Sequence, residues 1–388
     1  MSNLRQPLPK NNWKRTPLRP LVPADRRVLL WTTPHSLCAQ ASLDNKISLC
    51  LQEKIFTSLL QATSHGTWQS YGAGILRFTQ FCDREELSEG LRMPASATLL
   101  SAFIADAIGT CTGECIRNWL NGLRLWHLFN RAEWHGKDCW VRSLQKSADK
   151  AGTPFKRPLR NPISSSHLST LRENLDVTSP SGAATWAIAL TAFWGCRHLG
   201  ELLVSSPFSK DHDITRNARL STSFVNGKKV ISFHLPWTKT TGIAGGDCIL
   251  TATDNLYCPV WALENHLKIN KFANYDIPLF AFLSKGTWHT LTKDHFLCST
   301  TEIFRQYNLD TVFGHSYRIG GSLELLAAGV APEIVMKIGG WTSLCFMLYW
   351  RRLELIIPAA ITRSWEARRK EFAKKIRITE NMDNFEFL

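Results

Sequence analysis

The spacing of apolar residues in the first half of the chain predicts a series of amphipathic helices. Within 67–83, apolar side chains recur every three to four residues and fall on one stripe, formed by Trp68, Tyr71, Ile75, Phe78 and Cys82. The segment 94–108 has a similar periodicity, and its Ser96 is a residue type that caps helix N-termini. Further helices are predicted over 54–61, 114–129 and 139–150. Residues 51–150 are therefore predicted to form a small all-helical domain.

The second half of the chain combines helical periodicity with a short stretch of strand-like alternation. Two segments, 219–225 and 230–235, flank Asn226-Gly227, the dipeptide typical of a two-residue hairpin turn. A third strand is predicted over 247–251, after a glycine-rich turn. Helices are predicted on both sides of these strands, over 165–176, 182–203, 259–268, 292–304, 316–328, 332–338 and 344–352. The predicted fold class is therefore mainly α with a small antiparallel three-stranded sheet.

A proline-rich, basic segment separates the two halves. Residues 151–162 contain three prolines and three basic residues in the run GTPFKRPLRNP, which is typical of a linker. The length of 388 residues allows two to three domains, each with its own core. We predict a basic, largely disordered arm over 1–50, the helical domain over 51–150, a second domain over 163–377 and an acidic tail over 378–388.

The charge balance indicates an anionic partner. The chain has 46 Lys and Arg against 32 Asp and Glu, a formal net charge of +14. Both ends are basic and are candidates for binding phosphates, with seven basic residues in 1–27 and nine in 351–377. The polar faces of the predicted helical domain carry eight more, which fit either a solvated surface or a DNA-facing one. They are Arg77, Arg117, Arg124, Arg131, Lys137, Arg142, Lys146 and Lys150.

The cysteines and the apolar runs exclude several classes of protein. The 11 cysteines are odd in number and scattered, and no apolar signal core is seen at the N-terminus, so we expect an intracellular protein without disulfides. Cys111 and Cys115 lie one helical turn apart, but a second Cys/His pair at ligand spacing is missing. We therefore expect no metal and no cofactor. Apolar runs stay shorter than a membrane span, which predicts a soluble protein with no membrane partner.

The strongest concentration of chemical groups lies towards the C-terminus. It consists of GHSYRIGG at 314–321, GGW at 339–341 and Tyr349. His315 and Arg318 are three residues apart at a predicted helix start, so they share a face to which the helix N-terminus adds backbone donors. Taken singly, the aromatic residues fit a core and the arginine fits a surface. Taken together, these residues predict an anion site.

These residues resemble the C-terminal signature of the tyrosine recombinase (phage integrase) superfamily. That signature has His-x-x-Arg at a helix start, a glycine-bounded loop carrying His or Trp, and a nucleophilic Tyr several residues later. The residues of these motifs are most similar to those of Crypton-type recombinases of eukaryotic mobile elements, fungal ones in particular. The resemblance spans roughly residues 67–358 and is weak over the first domain. It implies an N-terminal helical core-binding (SAM-like) domain and a C-terminal catalytic domain.

Two upstream elements extend the resemblance. Lys239, in the turn between the second and third strands, matches the hairpin lysine of the superfamily. The run GCRHLGEL at 195–202 matches its first arginine block, written Arg-x-x-Glu-Leu. Counting back from Glu201 places the arginine position at His198, with Arg197 shifted by one residue, about 100° around a helix. Arg197 could reach a phosphate by local backbone adjustment, His198 could serve as a weaker donor, or the chain could bind DNA without cutting it.

The resemblance also implies a role for each residue. Arg318 and a residue of the 197–198 pair would stabilise the non-bridging oxygens of a phosphodiester attacked by Tyr349. His315 would donate a hydrogen bond and transfer protons, and Trp341 would pack the site and donate its indole N–H. Lys239 would protonate the leaving 5′-oxygen. The implied chemistry uses no metal or cofactor.

The implied function is site-specific recombination or integration of double-stranded DNA through a 3′-phosphotyrosyl intermediate. The implied assembly is a homotetramer on two synapsed sites, monomeric or weakly associated when free, located in the nucleus. Two alternatives stay open: a catalytically impaired, transposon-derived DNA-binding protein, and a strand-relaxing enzyme resembling type IB topoisomerases. Position 198 separates the first alternative from the recombinase, and dependence on paired sites separates the second.

Overall fold

The chain forms two compact units, Met1–Pro158 (unit 1) and Leu159–Leu388 (unit 2), which are described separately. The division lies inside the predicted linker 151–162. The computed structural model describes residues 16–44, 47–204, 207–271, 276–343 and, within 357–371, residues 357–358, 361–362, 364–366 and 368–371. No helix in these ranges is long and apolar enough to span a lipid bilayer. The predicted helix 344–352, which contains Tyr349, and the predicted tail 378–388 lie outside the described residues.

Unit 1 is helical, as its periodicity predicts. Its core lies mainly between α4 and α7, where the stripe predicted from the sequence is buried, with Ile75, Phe78 and Cys82 at 2% exposure or less. The Ser96 hydroxyl accepts a hydrogen bond from the Leu99 amide at 3.2 Å and caps α6. The helices are α1 (Arg27–Leu30), α2 (Pro34–Asp44), α3 (Leu49–Gln61), α4 (His65–Arg84), α5 (Glu89–Arg92), α6 (Ala97–Ala107), α7 (Gly113–Phe129) and α8 (Cys139–Ala151).

The predicted disordered arm over 1–50 is wrong for the described residues 16–44. This segment contains α1 and α2, and Val28 and Trp31 are buried in the core of unit 1. Arg19, expected to face phosphates, is 3% exposed and donates to the carboxylates of Asp83 at 3.3 Å and Glu89 at 2.5 Å. Apolar burial and a buried ion pair therefore order a segment whose prolines and charges indicate disorder.

Unit 2 is helical with two small sheets. Strands β1, β2 and β3 form the predicted antiparallel sheet in that order, and Val225 pairs with Lys228 across the two-residue Asn226-Gly227 turn. A second sheet, formed by β4 and β5, was not predicted. The elements are α9 (Ser165–Asn174), α10 (Pro180–Trp194), α11 (Leu199–Leu202), β1 (Ser221–Val225), β2 (Lys228–Leu235), β3 (Gly246–Thr251), α12 (Pro259–Ile269), β4 (Phe282–Ser284), β5 (Thr287–His289), α13 (Lys293–Gln306), α14 (Ser316–Ala327) and α15 (Pro332–Gly339).

The central element of unit 2 is α10, which is buried on all sides from Gly182 to Phe193 and packs against α12, α14 and β4. The continuous helix predicted over 182–203 is wrong. The chain leaves the helix after Trp194, Cys196 has a left-handed φ of 49°, and α11 begins at Leu199. We call residues 195–198 the α10–α11 turn. The fold class, mainly α with a small three-stranded antiparallel sheet, is confirmed.

Candidate functional site: a cationic cluster in unit 2

Close backbone packing fixes α14, which carries His315 and Arg318. A Cβ atom at Gly321 would overlap the main-chain oxygen of Phe193, so α14 can approach α10 this closely only with glycine at that position. The start of the helix is also fixed, because the Ser316 hydroxyl accepts a hydrogen bond from the Phe313 amide at 2.9 Å. The glycines of the GHSYRIGG motif thus place the His-x-x-Arg pair.

Arg318 lies at the centre of the cluster and is 2% exposed. Its Nη1 donates to the main-chain oxygens of Cys196 at 2.5 Å and Gly339 at 2.8 Å. Its Cζ lies 3.8 Å from the ring centroid of Trp341, which is a cation–π distance. This guanidinium therefore joins α14 to the α10–α11 turn and to the end of α15.

Arg197 reaches the same region from the α10–α11 turn. It is 3% exposed, and its Nη2 donates to the main-chain oxygens of Asp247, at the start of β3, and of Ile338 at 2.8 Å. Because Arg197 and His198 lie in a turn, the predicted 100° displacement around a helix does not apply to them. The turn brings Arg197 beside the end of α15, and whether Arg197 or His198 serves a phosphate stays open.

His198 and His315 are in contact in the cluster, with ring centroids 4.6 Å apart and ring planes tilted by 51°. Burial and the neighbouring charge of Arg318 lower the pKa of His198 to about 2 and that of His315 to about 4. Both rings are therefore neutral at pH 7, and in this state each has one nitrogen that donates and one that accepts a hydrogen bond. Glu201 accepts a hydrogen bond from the His198 amide at 3.2 Å, so this glutamate caps α11.

Lys239 projects from the turn between β2 and β3 and is exposed. Reciprocal main-chain hydrogen bonds between Thr238 and Gly242, at 3.2 and 2.9 Å, close the loop that presents it. Its charge contributes to the lowered pKa of both His198 and His315, so it lies within electrostatic reach of the pair.

The GGW motif ends α15 and positions Trp341. Gly340 has a left-handed φ of 68°, and the Trp341 amide donates to the Met336 oxygen at 3.0 Å. Trp341 is partly buried, and its ring lies over the Arg318 guanidinium. The structure thus brings together six of the seven predicted site residues, Arg197, His198, Lys239, His315, Arg318 and Trp341, while Tyr349 lies outside the described residues.

Two further cations lie near the histidines and were missed by the sequence interpretation. Arg160 and Lys293 both contribute to the lowered pKa of His315, and Lys293 also acts on His198. Arg160 belongs to the predicted linker, and Lys293 is the first residue of α13. In the sequence both look like solvated charges, and only tertiary packing reveals their position.

The positively charged side chains of the cluster can together bind an anion. Guanidinium groups match phosphate oxygens, the lysines add positive charge, and the two neutral imidazoles can donate and accept hydrogen bonds. Among the described residues, no group of three or more His, Cys, Asp and Glu side chains is arranged to hold a metal ion. The eight basic residues predicted on the helical domain are all exposed in unit 1.

Comparisons with known proteins identify the fold. No family model matches the sequence, and no curated protein matches it. The structure of XerH site-specific recombinase bound to palindromic difH substrate is similar, with a TM-score of 0.53, 15% identity and coverage of 90% of this chain and 100% of that one. The Tn1549 transposon integrase with transposon right end DNA gives a TM-score of 0.45, 13% identity and coverage of 85% and 99%. A lambda integrase dimer bound to a COC′ core site gives a TM-score of 0.46 and 13% identity, with coverage of 78% of this chain and 93% of that one. On the first of these similarities, the chain has the fold of a tyrosine recombinase.

Proposed function

We propose that the protein is a DNA-binding site-specific recombinase or integrase of the tyrosine recombinase superfamily, similar to the Crypton type. The observation that carries this proposal is the convergence of Arg197 and Arg318 at the end of α15, with Trp341 over Arg318 and with His315 within reach of the Arg318 charge. Lys239 lies within electrostatic reach of the same cluster. One solved structure with the same fold is a site-specific recombinase bound to its DNA substrate.

The proposed reaction follows from the chemistry of these groups. The Tyr349 oxygen attacks the phosphorus, the P–O5′ bond breaks, and a 3′-phosphotyrosyl bond forms. Arg197 and Arg318 stabilise the charge that develops on the non-bridging oxygens. The phenolic proton passes to neutral His315, whose pKa rises again once an anionic phosphate is close. Lys239 gives a proton to the 5′-oxygen, and the reverse sequence rejoins the strand.

The proposed assembly is a homotetramer on two synapsed DNA duplexes, and the proposed location is the nucleus. The two basic ends and the exposed basic residues of unit 1 would bind further phosphates of the DNA. Rejoining would conserve the bond energy of the phosphodiester, so the proposal requires no ATP.

A catalytically impaired DNA-binding protein is the second candidate. It is favoured by His198, which stands where the superfamily resemblance expects an arginine. It is also favoured by the hydrogen bonds of Arg197 and Arg318 to main-chain oxygens, which give both residues a structural role. Such a protein would act by occupying its site on DNA.

Covalent capture tests both candidates. The full-length protein is incubated with a library of nicked duplexes, from which the short cleaved fragment dissociates, and denaturing gels then detect a protein–DNA adduct. The recombinase proposal expects an adduct that disappears in Tyr349→Phe and persists in Tyr317→Phe, because Tyr317 is fully buried. Salt-sensitive DNA binding without any adduct would support the second candidate and contradict the first.

A further inference from the structure

Lys293 lies at the point where the two histidine-bearing segments of unit 2 meet. An ideal Cβ at Gly314 would be 2.9 Å from Lys293 Cε and 3.5 Å from its Nζ, and the same position is 3.8 Å from Leu199 Cδ1. Gly314 precedes His315, and Leu199 follows His198. The end of the Lys293 side chain therefore lies against the backbone that precedes His315, where Leu199 also packs.

The backbone that carries the Lys293 side chain, at the start of α13, is held in place. The Thr292 hydroxyl accepts a hydrogen bond from the His295 amide at 3.3 Å and caps α13. Thr292 also forms a parallel bridge with Val204, just after α11. Lys293 thus starts from a fixed backbone position near the end of α11.

The positive charge of Lys293 acts on the two histidines of the cluster. The ion pairs of Lys210, Lys228 and Lys229, all in the described part of unit 2, do not involve Lys293. The side chain is partly buried, so its charge is less screened than that of a fully exposed lysine. Its effect on the pKa of His198 and His315 shows that its field reaches both rings.

We infer that Lys293 is a second lysine of the site and binds a non-bridging oxygen of the phosphate held by Arg197 and Arg318. This inference rests on the proposed function and assigns the lysines different tasks. Lys239 serves the leaving 5′-oxygen, whereas Lys293 adds a point charge to the phosphate itself. No bond is made or broken by Lys293.

Equilibrium binding on modified DNA tests the inference. In a Tyr349→Phe background, affinity is measured for a cleavable duplex and for the same duplex with an uncharged methylphosphonate at the scissile position. Lys293→Gln is expected to weaken binding of the native duplex about tenfold or more and to leave binding of the methylphosphonate duplex unchanged. Equal losses on the two duplexes would overturn the inference, because Lys293 would then act elsewhere.

Cleavage kinetics separate the two lysines. Lys293→Gln is expected to slow single-turnover cleavage about 10²-fold, and Lys293→Arg should recover most of the rate because it keeps the charge. A 5′-bridging sulfur needs no proton to leave, so it should rescue Lys239→Ala and fail to rescue Lys293→Gln. Rescue of both variants would make Lys293 a proton donor and refute the phosphate-binding role. Lys268→Gln, at an exposed position in α12, is the charge-matched control.

A separate measurement tests the role of Lys293 in case the proposed function fails. If the wild-type protein cleaves no duplex, the recombinase proposal fails, and the salt dependence of duplex binding still tests Lys293. Loss of one phosphate contact reduces the slope of log K against log salt by about one. A reduced slope in Lys293→Gln but not in Lys268→Gln supports phosphate binding, and equal slopes refute it. Unchanged melting temperatures in both variants show that the fold is retained.

Discussion

Replacing Arg197 should reveal whether this residue holds the cationic cluster together. Arg197→Ala removes the Nη2 group that donates to the main-chain oxygens of Asp247 and Ile338. A hydrogen bond from a charged donor contributes about 1.5–3 kcal/mol, and two bonds that share one nitrogen should together contribute about 3 kcal/mol. For a unit of this size each kcal/mol corresponds to about 2–4 °C, so the melting temperature should fall by about 6–12 °C.

Thermal unfolding and single-turnover cleavage measure the two consequences of this change. Unfolding is followed by circular dichroism, with Arg219→Ala as the matched control because Arg219 is exposed on unit 2. Cleavage is measured at a temperature where Arg197→Ala is still folded, and it should be about 10²–10³ times slower than in the wild type. His198→Arg should change the rate little, since Arg197 already reaches the site.

Two results would refute this reasoning. Melting of Arg197→Ala together with the wild type would mean that the hydrogen bonds to β3 and α15 do not stabilise unit 2. An increase of about 10²-fold in cleavage by His198→Arg would mean that the arginine position is vacant in the wild type. His198 would then be the weak donor at that position.

Three further predictions concern stability. Gly321→Ala should destabilise unit 2 by about 1–3 kcal/mol or more, because its Cβ would overlap a main-chain oxygen of α10. Gly200→Ala should be tolerated, because nothing lies within 4 Å of its Cβ, and chemical denaturation compares the two variants. Arg19→Ala should lower the stability of unit 1 by about 3 kcal/mol or more, because it leaves buried carboxylates with one donor fewer. Unchanged stability together with a reduced salt dependence of DNA binding would contradict this role. The lowered pKa values of His198 and His315 mean that, below about pH 6.5, the unfolded chain binds protons that the folded chain does not, so stability falls as the pH drops towards 4. The double variant His198→Gln/His315→Gln should lose less stability between pH 7 and 5 than the wild type in denaturant titrations, and an identical loss would refute these pKa shifts.

Local patterns were sufficient to predict most of the elements. Asn226-Gly227 between two alternating segments predicts the hairpin because that dipeptide adopts the positive φ values of the turn, 50° and 76° here. The stripe from Trp68 to Cys82 predicts α4 because a helix with one buried face has to repeat apolar residues at that spacing. In both cases the signal lies within the segment itself.

Features that depend on distant contacts were not predictable in this way. The end of α10 is not marked by a polar face, since the helix is buried all round, and the apolar pattern continues into α11. The ordered segment 16–44 depends on contacts such as that of Arg19 with Asp83, 64 residues away. The signature residues of the site could be found by resemblance, whereas Lys293 and Arg160 join it only through packing.

The end of α15 supplies the cluster with its own counter-charge. The last carbonyls of a helix have no partner inside the helix and carry its negative dipole end. In α15 the oxygens of Ile338 and Gly339 accept from Arg197 and Arg318 respectively. On the proposed function, a DNA phosphate that entered the site would compete with these oxygens for arginine N–H groups. Each arginine would exchange one acceptor for another, and the gain in affinity would be smaller than two unshielded guanidinium groups would give. Substrate arrival and release of the α15 end would then be coupled through the same two side chains.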